Sequence, residues 1–228
     1  MKPFTRVSAI AAPLLRANID TDALSPSHFK PKELSKHGFK DALFMDWRRA
    51  SDGNPDPAFV LNQAPYDRAG ILVAGPNFGC GSSRETAVWA LRDAGFRAVI
   101  APGFASIFET NCIRNGLLPL VLPPDIHQQL ASDTFDSADE PRIEIDLVAG
   151  EVGAIGAPRY PFTIDERSRP QLIKGLDPIG QTLQLRESID AFRHRDQQQR
   201  PWIYRYPKPT PPTSDGATAT ATTDSGAL

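Results

Sequence analysis

Short apolar runs and polar, glycine-containing loops alternate through the middle of the chain. The run Ile71–Ala74 is typical of a buried strand, and a second such run is Ala98–Ala101. Between them, apolar residues recur with a helical period up to Gly95, which is well placed to end a helix: Ala87, Val88, Leu91 and Ala94. This pattern predicts a βαβ unit with a right-handed crossover. The start of its helix would lie at the carboxyl end of the first strand, where open α/β sheets bind ligands.

The flanking sequence predicts further elements on both sides of this unit. Residues 4–10 indicate a first strand, and residues 117–122 indicate another strand that Pro123 and Pro124 close. Apolar residues at four-residue spacing predict a helix that ends near Gly116: Phe104, Phe108 and Cys112. These elements extend the short parallel core.

The C-terminal half of the chain has a different pattern. Ile143, Ile145 and Leu147 alternate with acidic residues, which is typical of a half-exposed strand. Ala149 and Gly150 then favour a hairpin to a strand over residues 160–164. Residues 187–197 are predicted to form a final helix. The fold class is therefore α/β, with a β-rich part beside the parallel core.

Two long segments lack a clear period. Residues 25–68 carry many prolines and glycines, so we expect a long connection with little regular structure, and such connections are often functional. Leu24, Phe29 and Phe39 are candidates for an apolar wall of a binding site, although packing in the core is the commoner role. Residues 207–228 are rich in Pro, Thr, Ser and Ala and are predicted to be a disordered tail on a domain that spans residues 1–206.

Composition excludes several classes of function. The 228 residues carry a net charge of −2, which is not the footprint of a nucleic-acid or anionic-membrane binder. No run reaches the roughly 20 apolar residues of a membrane span, and the first residues lack the layout of a signal peptide. With only two cysteines, Cys80 and Cys112, we expect a cytoplasmic protein without a disulfide scaffold.

The residues that commonly hold metals are scattered. Cys80 and Cys112 do not have the spacing of iron–sulfur ligands. The four histidines also form no ligand pattern: His28, His37, His127 and His194. We therefore predict no metal site within this chain. Cys80, between two glycines, is more typical of a small packed residue than of a reactive thiol.

The loop after the first strand of the βαβ unit carries the candidate chemistry. Gly79 and Gly81 let a ligand approach the backbone, and Ser82 and Ser83 offer hydroxyl groups. Arg84 can grip a carboxylate with two hydrogen bonds, and a helix N-terminus favours anions. A small anionic substrate fits this set.

A purely structural interpretation of the same loop is equally open from the residues alone. Ser82 and Glu85 have the spacing of a capping box, which occurs in ordinary helices. The loop contains no P-loop motif, and Arg84 stands where a dinucleotide-binding motif needs its third glycine. The nucleophile-elbow motif is also absent.

The run from Asn77 to Glu85, NFGCGSSRE, resembles the signature of the small subunit of 3-isopropylmalate dehydratase, and its GSSRE core is similar to that of the swivelling domain of aconitases. The resemblance extends from about Phe4 to Tyr204. It includes four further blocks, at residues 18–22, 101–105, 116–119 and 175–180. On these blocks the chain is identified as a member of that family, which implies a swivelling β/β/α fold.

The resemblance also implies a reaction. The family isomerises 2-isopropylmalate to 3-isopropylmalate in leucine biosynthesis, by removing water and adding it back. Ser82 matches the general base, Ser83 and Arg84 match the substrate carboxylate ligands, and Asp22 matches a residue that lines the pocket. The neighbouring positions would shape the pocket: Gly79, Cys80, Gly81, Asp20 and Thr21. The partner implied is a large subunit with a [4Fe-4S] cluster, in which one iron acts as Lewis acid on the leaving hydroxyl of a small dicarboxylate.

Two departures from the family pattern leave the substrate side group open. Thr86 stands where most members of the family have histidine, and residues 23–26 are less apolar than the usual A-I-I-P. One alternative is a sister dehydratase that acts on citraconate/2-methylmalate or homoaconitate. Another is a non-catalytic regulatory binding module, which the intact Ser82, Ser83 and Arg84 disfavour.

Overall fold

The computed structural model describes residues 1–30, 38–136 and 140–204. The predicted tail at residues 207–228 lies outside the described residues. The chain divides into two compact units, Met1–Thr182 and the residues from Leu183 onward. The predicted boundary between a domain at 1–206 and a tail therefore stays a prediction.

One seven-stranded sheet organises the first unit, with the strand order β4-β3-β2-β1-β5-β6-β7. The strands are β1 Arg6–Leu14, β2 Ile71–Ala74, β3 Ala98–Ala101, β4 Leu118–Val121, β5 Arg142–Asp146, β6 Glu151–Ala154 and β7 Tyr160–Pro161. Strands β1 to β4 are mutually parallel, whereas β5, β6 and β7 pair antiparallel. The predicted combination of a parallel core with a β-rich part is confirmed.

Strand β1 joins the two halves of the sheet. Its first residues, 6–10, pair antiparallel with β5, and residues 11–14 pair parallel with β2. The predicted strand at residues 4–10 is therefore too short at its C-terminal end. The missed part contains Pro13, a residue that usually argues against a central strand, so the pattern alone favours an earlier end.

Both faces of the parallel core are buried. In β2, Ile71 and Val73 belong to one apolar cluster, while Leu72 and Ala74 belong to another on the opposite face. All four residues are fully buried, which explains why the strand is a continuous apolar run and not an alternating one. Helices α2 (Thr86–Asp93) and α3 (Ser106–Asn115) cover the second face, and α4 (Pro124–Phe135) contributes Leu130 to the first.

The helices are α1 Thr21–Leu24, α2 Thr86–Asp93, α3 Ser106–Asn115, α4 Pro124–Phe135, α5 Ser168–Lys174, α6 Pro178–Leu183 and α7 Arg186–Gln199. The predicted helices that correspond to α2, α3 and α7 are confirmed, and α3 ends at Gly116 with a left-handed φ of 75°. The sequence interpretation missed α1, α4, α5 and α6. Pro124 opens α4, because proline lacks the N–H that the first helical turn leaves unpaired.

The predicted hairpin is wrong in its second strand. After β5 the chain turns at residues 147–150 and returns as β6, and β7 at Tyr160–Pro161 then pairs with β6. Strand β6 is only four residues long and includes Gly153, so its sequence does not have the pattern that predicts a strand.

The long connection at residues 25–68 has little regular structure among its described residues, as predicted. It contains short 3₁₀ turns at Lys40–Ala42, Val60–Asn62 and Tyr66–Arg68. Leu24 and Phe39 are buried in the core cluster that covers α2, and Phe29 packs against it. Leu24 and Phe39 are therefore core residues, whereas Phe29 is partly buried.

The second unit, as far as it is described, consists of the end of α6, helix α7 and a 3₁₀ turn at Pro201–Tyr204. Asp196 accepts hydrogen bonds from the Tyr204 hydroxyl at 2.8 Å and from Arg200 Nε at 2.6 Å. These contacts fasten the turn to the helix. Within the described part of the chain, no helix has both the length and the apolar character needed to cross a membrane.

Candidate active site

Three loops meet where the parallel strands β1, β2 and β3 end. The Asn18 N–H donates to the Pro76 carbonyl at 3.0 Å, which joins the loop after β1 to the loop after β2. The Phe78 N–H donates to the Gly103 carbonyl at 3.1 Å, which joins the loop after β2 to the loop after β3. Carboxyl ends of parallel strands share one edge of the sheet, so residues distant in sequence converge there.

The loop at residues 18–22 and the loop at residues 77–82 pair along their length. The Gly79 N–H donates to the Ile19 carbonyl at 2.7 Å, and the Thr21 N–H donates to the Cys80 carbonyl at 2.9 Å. The Thr21 hydroxyl donates to the Ser82 carbonyl at 3.0 Å and accepts from the Ser82 N–H at 3.1 Å. The backbone of Ser82 is therefore held on both sides by one buried side chain.

Asp20 shapes the first loop. Its Oδ1 accepts a hydrogen bond from the Ala23 N–H at 2.7 Å and caps α1. This is the common use of an aspartate before a short helical turn, and it holds Thr21 and Asp22 at the start of α1.

Gly79 lies directly against an aromatic cluster. A Cβ at this position would stand 2.2 Å from the ring of Phe108, and the φ of Gly79 is +74°. Phe108 also packs edge-on against Phe78, with ring centroids 5.4 Å apart, and stacks on Phe104 at 6.3 Å. Glycine is thus required here for both space and conformation, and the cluster supports the loop from beneath.

The two serines of the loop are exposed. Ser82 and Ser83 face solvent, and neither hydroxyl has a hydrogen-bond partner within the described ranges. The Ser82 backbone is bound at its N–H and its carbonyl, and that carbonyl also accepts from the Arg84 N–H at 2.8 Å. A fixed backbone with a free hydroxyl is the arrangement expected of a residue that meets a ligand.

Arg84 is held beside the serines by the other loop. Its Nη2 forms an ion pair with Asp22 Oδ1, and its Nη1 donates to the Ser25 carbonyl at 3.3 Å. The side chain of Arg84 is 28% exposed and that of Asp22 is 56% exposed, so the pair lies at the surface. The guanidinium is oriented by Asp22 and Ser25 and can still reach an anionic ligand.

The predicted capping box does not form, which corrects the structural interpretation of this loop. Helix α2 starts at Thr86, with Glu85 at its N-cap position and no side-chain capping bond. Glu85 Oε1 instead accepts a hydrogen bond from Asn115 Nδ2 at 2.8 Å. Asn115 also accepts from Trp89 Nε1 at 3.1 Å, so a residue at the end of α3 anchors the start of α2.

The cysteines do not make a cluster site. Cys112 is fully buried in the core, where burial raises the pKa of its thiol well above the usual value, with a smaller contribution from the charge of Glu109. Cys80 is half-buried in the candidate loop. In residues 1–30, 38–136 and 140–204, no group of three or more His, Cys, Asp or Glu side chains is placed to hold a metal ion. The donors present therefore do not fit an iron–sulfur cluster.

A contact between two asparagines at the site was missed by the sequence interpretation. Asn77 Nδ2 donates to Asn18 Oδ1 at 2.8 Å, and both residues have a positive φ of 57°. Asparagine is enriched in this conformation, which is the one signal that the sequence offers. The contact itself depends on the approach of two loops that follow different strands.

Comparison with known proteins gives consistent results. The Aconitase C-terminal domain family matches residues 1–125. The 3-isopropylmalate dehydratase small subunit of Cupriavidus necator is 52% identical over 206 residues, covering 90% of this chain and 99% of the relative. That of Cereibacter sphaeroides is 45% identical over 203 residues, covering 89% of this chain and 100% of the relative.

A solved structure is similar as well. The crystal structure of a 3-isopropylmalate dehydratase from Methanocaldococcus jannaschii matches with a TM-score of 0.58 and 25% sequence identity. The match covers 82% of this chain and 99% of that chain. The predicted α/β class and the predicted aconitase-like swivelling fold are confirmed by this similarity.

Proposed function

The chain belongs to the family of 3-isopropylmalate dehydratase small subunits, and on that premise we propose that its exposed serine–arginine loop is one half of a dehydratase active site. A subunit of this family is part of a hydro-lyase that isomerises 2-isopropylmalate to 3-isopropylmalate in leucine biosynthesis. The loop contributes Ser82, Ser83 and Arg84.

The observation that carries the proposal is the contrast within Ser82. Its N–H and its carbonyl are both bound by Thr21, whereas its hydroxyl is exposed and has no partner among the described residues. Enzymes hold reacting groups in a fixed position so that the geometry is ready before the substrate arrives. The Ser82 hydroxyl also caps no helix, since α2 has no side-chain capping bond.

In this proposal the chain handles the proton and the carboxylate. Ser82 Oγ, as an alkoxide, takes the proton from the carbon next to a substrate carboxylate, and the freed electron pair forms a C=C bond as hydroxide leaves the adjacent carbon. Arg84 and the Ser83 hydroxyl bind that carboxylate. Asp22 orients Arg84 before substrate binds. A dicarboxylate that reaches Arg84 then competes with Asp22 for the guanidinium, so the resting ion pair keeps the cation ordered without a buried charge.

The site needs a second chain to be complete. The serine hydroxyls face solvent, and general-base chemistry of this kind requires water to be excluded. We infer that a large subunit covers the loop. The donors of the described residues do not fit an iron–sulfur cluster, so we assign the [4Fe-4S] cluster of the family to that subunit. We place the complex in the cytoplasm, where two unpaired cysteines remain reduced.

The substrate side group is the open part of the proposal. Arg84 donates to the carbonyl of buried Ser25, and Ser25 belongs to the segment at residues 23–26 that departs from the family pattern. A different sequence at residues 23–26 can shift Arg84 and so alter the space beside the substrate carboxylate that Arg84 binds. This observation keeps a sister dehydratase, acting on citraconate/2-methylmalate or homoaconitate, as the second candidate function.

The experiment is anaerobic co-expression with the large subunit from the same source, followed by turnover of 2-isopropylmalate, citraconate and homoaconitate. Dominant turnover of 2-isopropylmalate supports the proposal. Turnover of another diacid alone keeps the mechanism and changes the substrate. The Ser82→Ala variant is the matched control, and we expect it to lose about 10²- to 10⁴-fold in kcat, the range of general-base catalysis. A complex with a full cluster and no turnover of any diacid would favour a regulatory binding module.

A further inference from the structure

A second concave site lies at the opposite edge of the sheet from the serine–arginine loop. Gly95 to Arg97 immediately precede β3 and Gly116 precedes β4, so these residues mark the amino ends of the parallel strands. They line a cavity of about 540 Å³. Five of the lining residues have charged side chains: Lys2, Arg92, Arg97, Arg114 and Asp177.

The charges around this amino-edge cavity are strongly unequal. Four side chains of the lining are cationic, those of Lys2, Arg92, Arg97 and Arg114, and Asp177 is the one carboxylate. Asp177 Oδ1 already accepts a hydrogen bond from the Gly180 N–H at 2.6 Å. The chain as a whole has a net charge of −2. The four cationic side chains of this cavity are therefore a local excess of positive charge on a slightly acidic protein.

Most of these cations are not paired with acids. Arg92 forms an ion pair with Asp93 at 3.0 Å. For Lys2, Arg97 and Arg114, no carboxylate lies within ion-pair distance anywhere in the described ranges of the chain. Arg92 and Arg114 belong to the last turns of α2 and α3, where a basic residue also offsets the helix dipole. That role does not account for Lys2 or Arg97, which are outside the helices.

Arg97 is held by contacts with the N-terminal segment. Its Nη2 donates to the Pro3 carbonyl at 2.9 Å, and its Cζ lies 5.3 Å from the centre of the Phe4 ring. Its Nε is buried without a hydrogen-bond partner in the described residues. Burial lowers the pKa of this guanidinium. A partly buried cation with an incomplete set of partners is costly, and an anion placed next to it offsets that cost.

We propose that the amino-edge cavity binds a small oxyanion, a carboxylate or a phosphate, through Arg97, Arg114 and Lys2. Arginine groups bind both oxyanions with paired hydrogen bonds. This site is separate from the substrate loop, because the two lie at opposite ends of the same parallel strands. A ligand that binds only the folded chain also stabilises it.

The test uses the full chain carrying Arg84→Gln, so that the substrate loop does not contribute to anion binding. Sodium phosphate and sodium isobutyrate are titrated at matched ionic strength against sodium chloride, and backbone amide shifts are followed by ¹⁵N NMR. We expect one or both anions to shift the amides of Gly95, Arg97 and Gly116. Phosphate alone would identify a phosphate ligand, and isobutyrate alone would identify an aliphatic carboxylate.

Variants locate the binding. Arg114→Gln is exposed and is expected to leave folding intact, and Arg97→Gln removes the central cation. Loss of one charge-assisted contact is expected to raise the dissociation constant about tenfold. Arg186→Gln is the control, because Arg186 is an exposed arginine that pairs with Asp190 in the second unit. Unchanged affinity in Arg114→Gln, or no amide shift with either anion, would overturn the proposal.

Discussion

The Thr21 hydroxyl makes two hydrogen bonds to the backbone of Ser82, one to the carbonyl at 3.0 Å and one from the N–H at 3.1 Å, across a separation of 61 residues. Thr21 is only 1% exposed, whereas Ser82 lies at the surface. A buried side chain therefore sets the position of an exposed one. This contact adds to the backbone hydrogen bonds that join the loops after β1 and β2.

Replacing Thr21 by Val is expected to remove both hydrogen bonds while keeping the shape of the side chain. We expect kcat of the reconstituted enzyme to fall about tenfold, because Ser82 loses its fixed position, and stability to fall by about 1–2 kcal/mol. Turnover assays and urea unfolding measure the two effects. Thr21→Ser keeps the hydroxyl and is the control. Equal activity of the Val and Ser variants would contradict a positioning role.

Arg84 is expected to determine substrate affinity. Arg84→Lys keeps the charge and loses the planar pair of donors, so we expect KM to rise on the order of 10-fold or more. Arg84→Ala is expected to be worse still. Steady-state kinetics of the complex with its large subunit provide the measurement, with the exposed Arg68→Lys as control. Unchanged kinetics in Arg84→Ala would show that this residue does not bind the carboxylate.

Gly79 is expected to tolerate no side chain. A Cβ would stand 2.2 Å from the Phe108 ring on a backbone with φ of +74°, so Gly79→Ala combines a clash with conformational strain. We expect a loss of stability of at least about 2–3 kcal/mol. Gly103→Ala is the matched control, since a Cβ added at Gly103 would meet nothing within 4 Å and its φ is not positive. Chemical denaturation of both variants tests this, and similar midpoints would refute it.

His127 is expected to make stability depend on pH. Burial lowers the pKa of His127, partly opposed by the carbonyls of Ala74 and Ile100. The unfolded chain then binds a proton more readily than the folded chain, so the free energy of unfolding falls as the pH drops below about 6.5, the unperturbed pKa. Above that value the contribution is complete.

Urea unfolding between about pH 5 and 7.5 measures the pH dependence expected of His127. His127→Gln removes the titrating group and is expected to flatten the curve over that range. The exposed His194→Gln serves as the control and should behave like the wild type. A wild-type curve with no decline below the unperturbed pKa would contradict the assignment.

The two thiols are expected to react at very different rates. Cys112 is fully buried with a raised pKa, so it holds little thiolate, whereas Cys80 is half-buried in the loop. A thiol-reactive dye should label one equivalent in the native chain and two after denaturation. Mass spectrometry of the labelled peptides identifies the residue. Native labelling at Cys112 would indicate that the core opens.

Local patterns are sufficient where an element is defined by its own residues. Strand β2, helix α2 and strand β3 follow from an apolar run, a helical period and a second run, because burial on both faces of a parallel strand leaves no polar position. The candidate residues Ser82, Ser83 and Arg84 also come from one contiguous motif. Their roles stay predictions until the kinetics are measured.

Contacts between distant segments decided the rest. The pattern at Ser82 and Glu85 favours a capping box, but Glu85 binds Asn115, which lies at the end of another helix. The pairing of Asn18 with Asn77 and the attachment of Thr21 to Ser82 likewise join loops that follow different strands. The sequence alone determined strands β2, β3 and β4, the motif and the family. Only the tertiary structure decided which side chains are bound and which are left free, because a hydrogen bond depends on distance in space and a pattern records only distance along the chain.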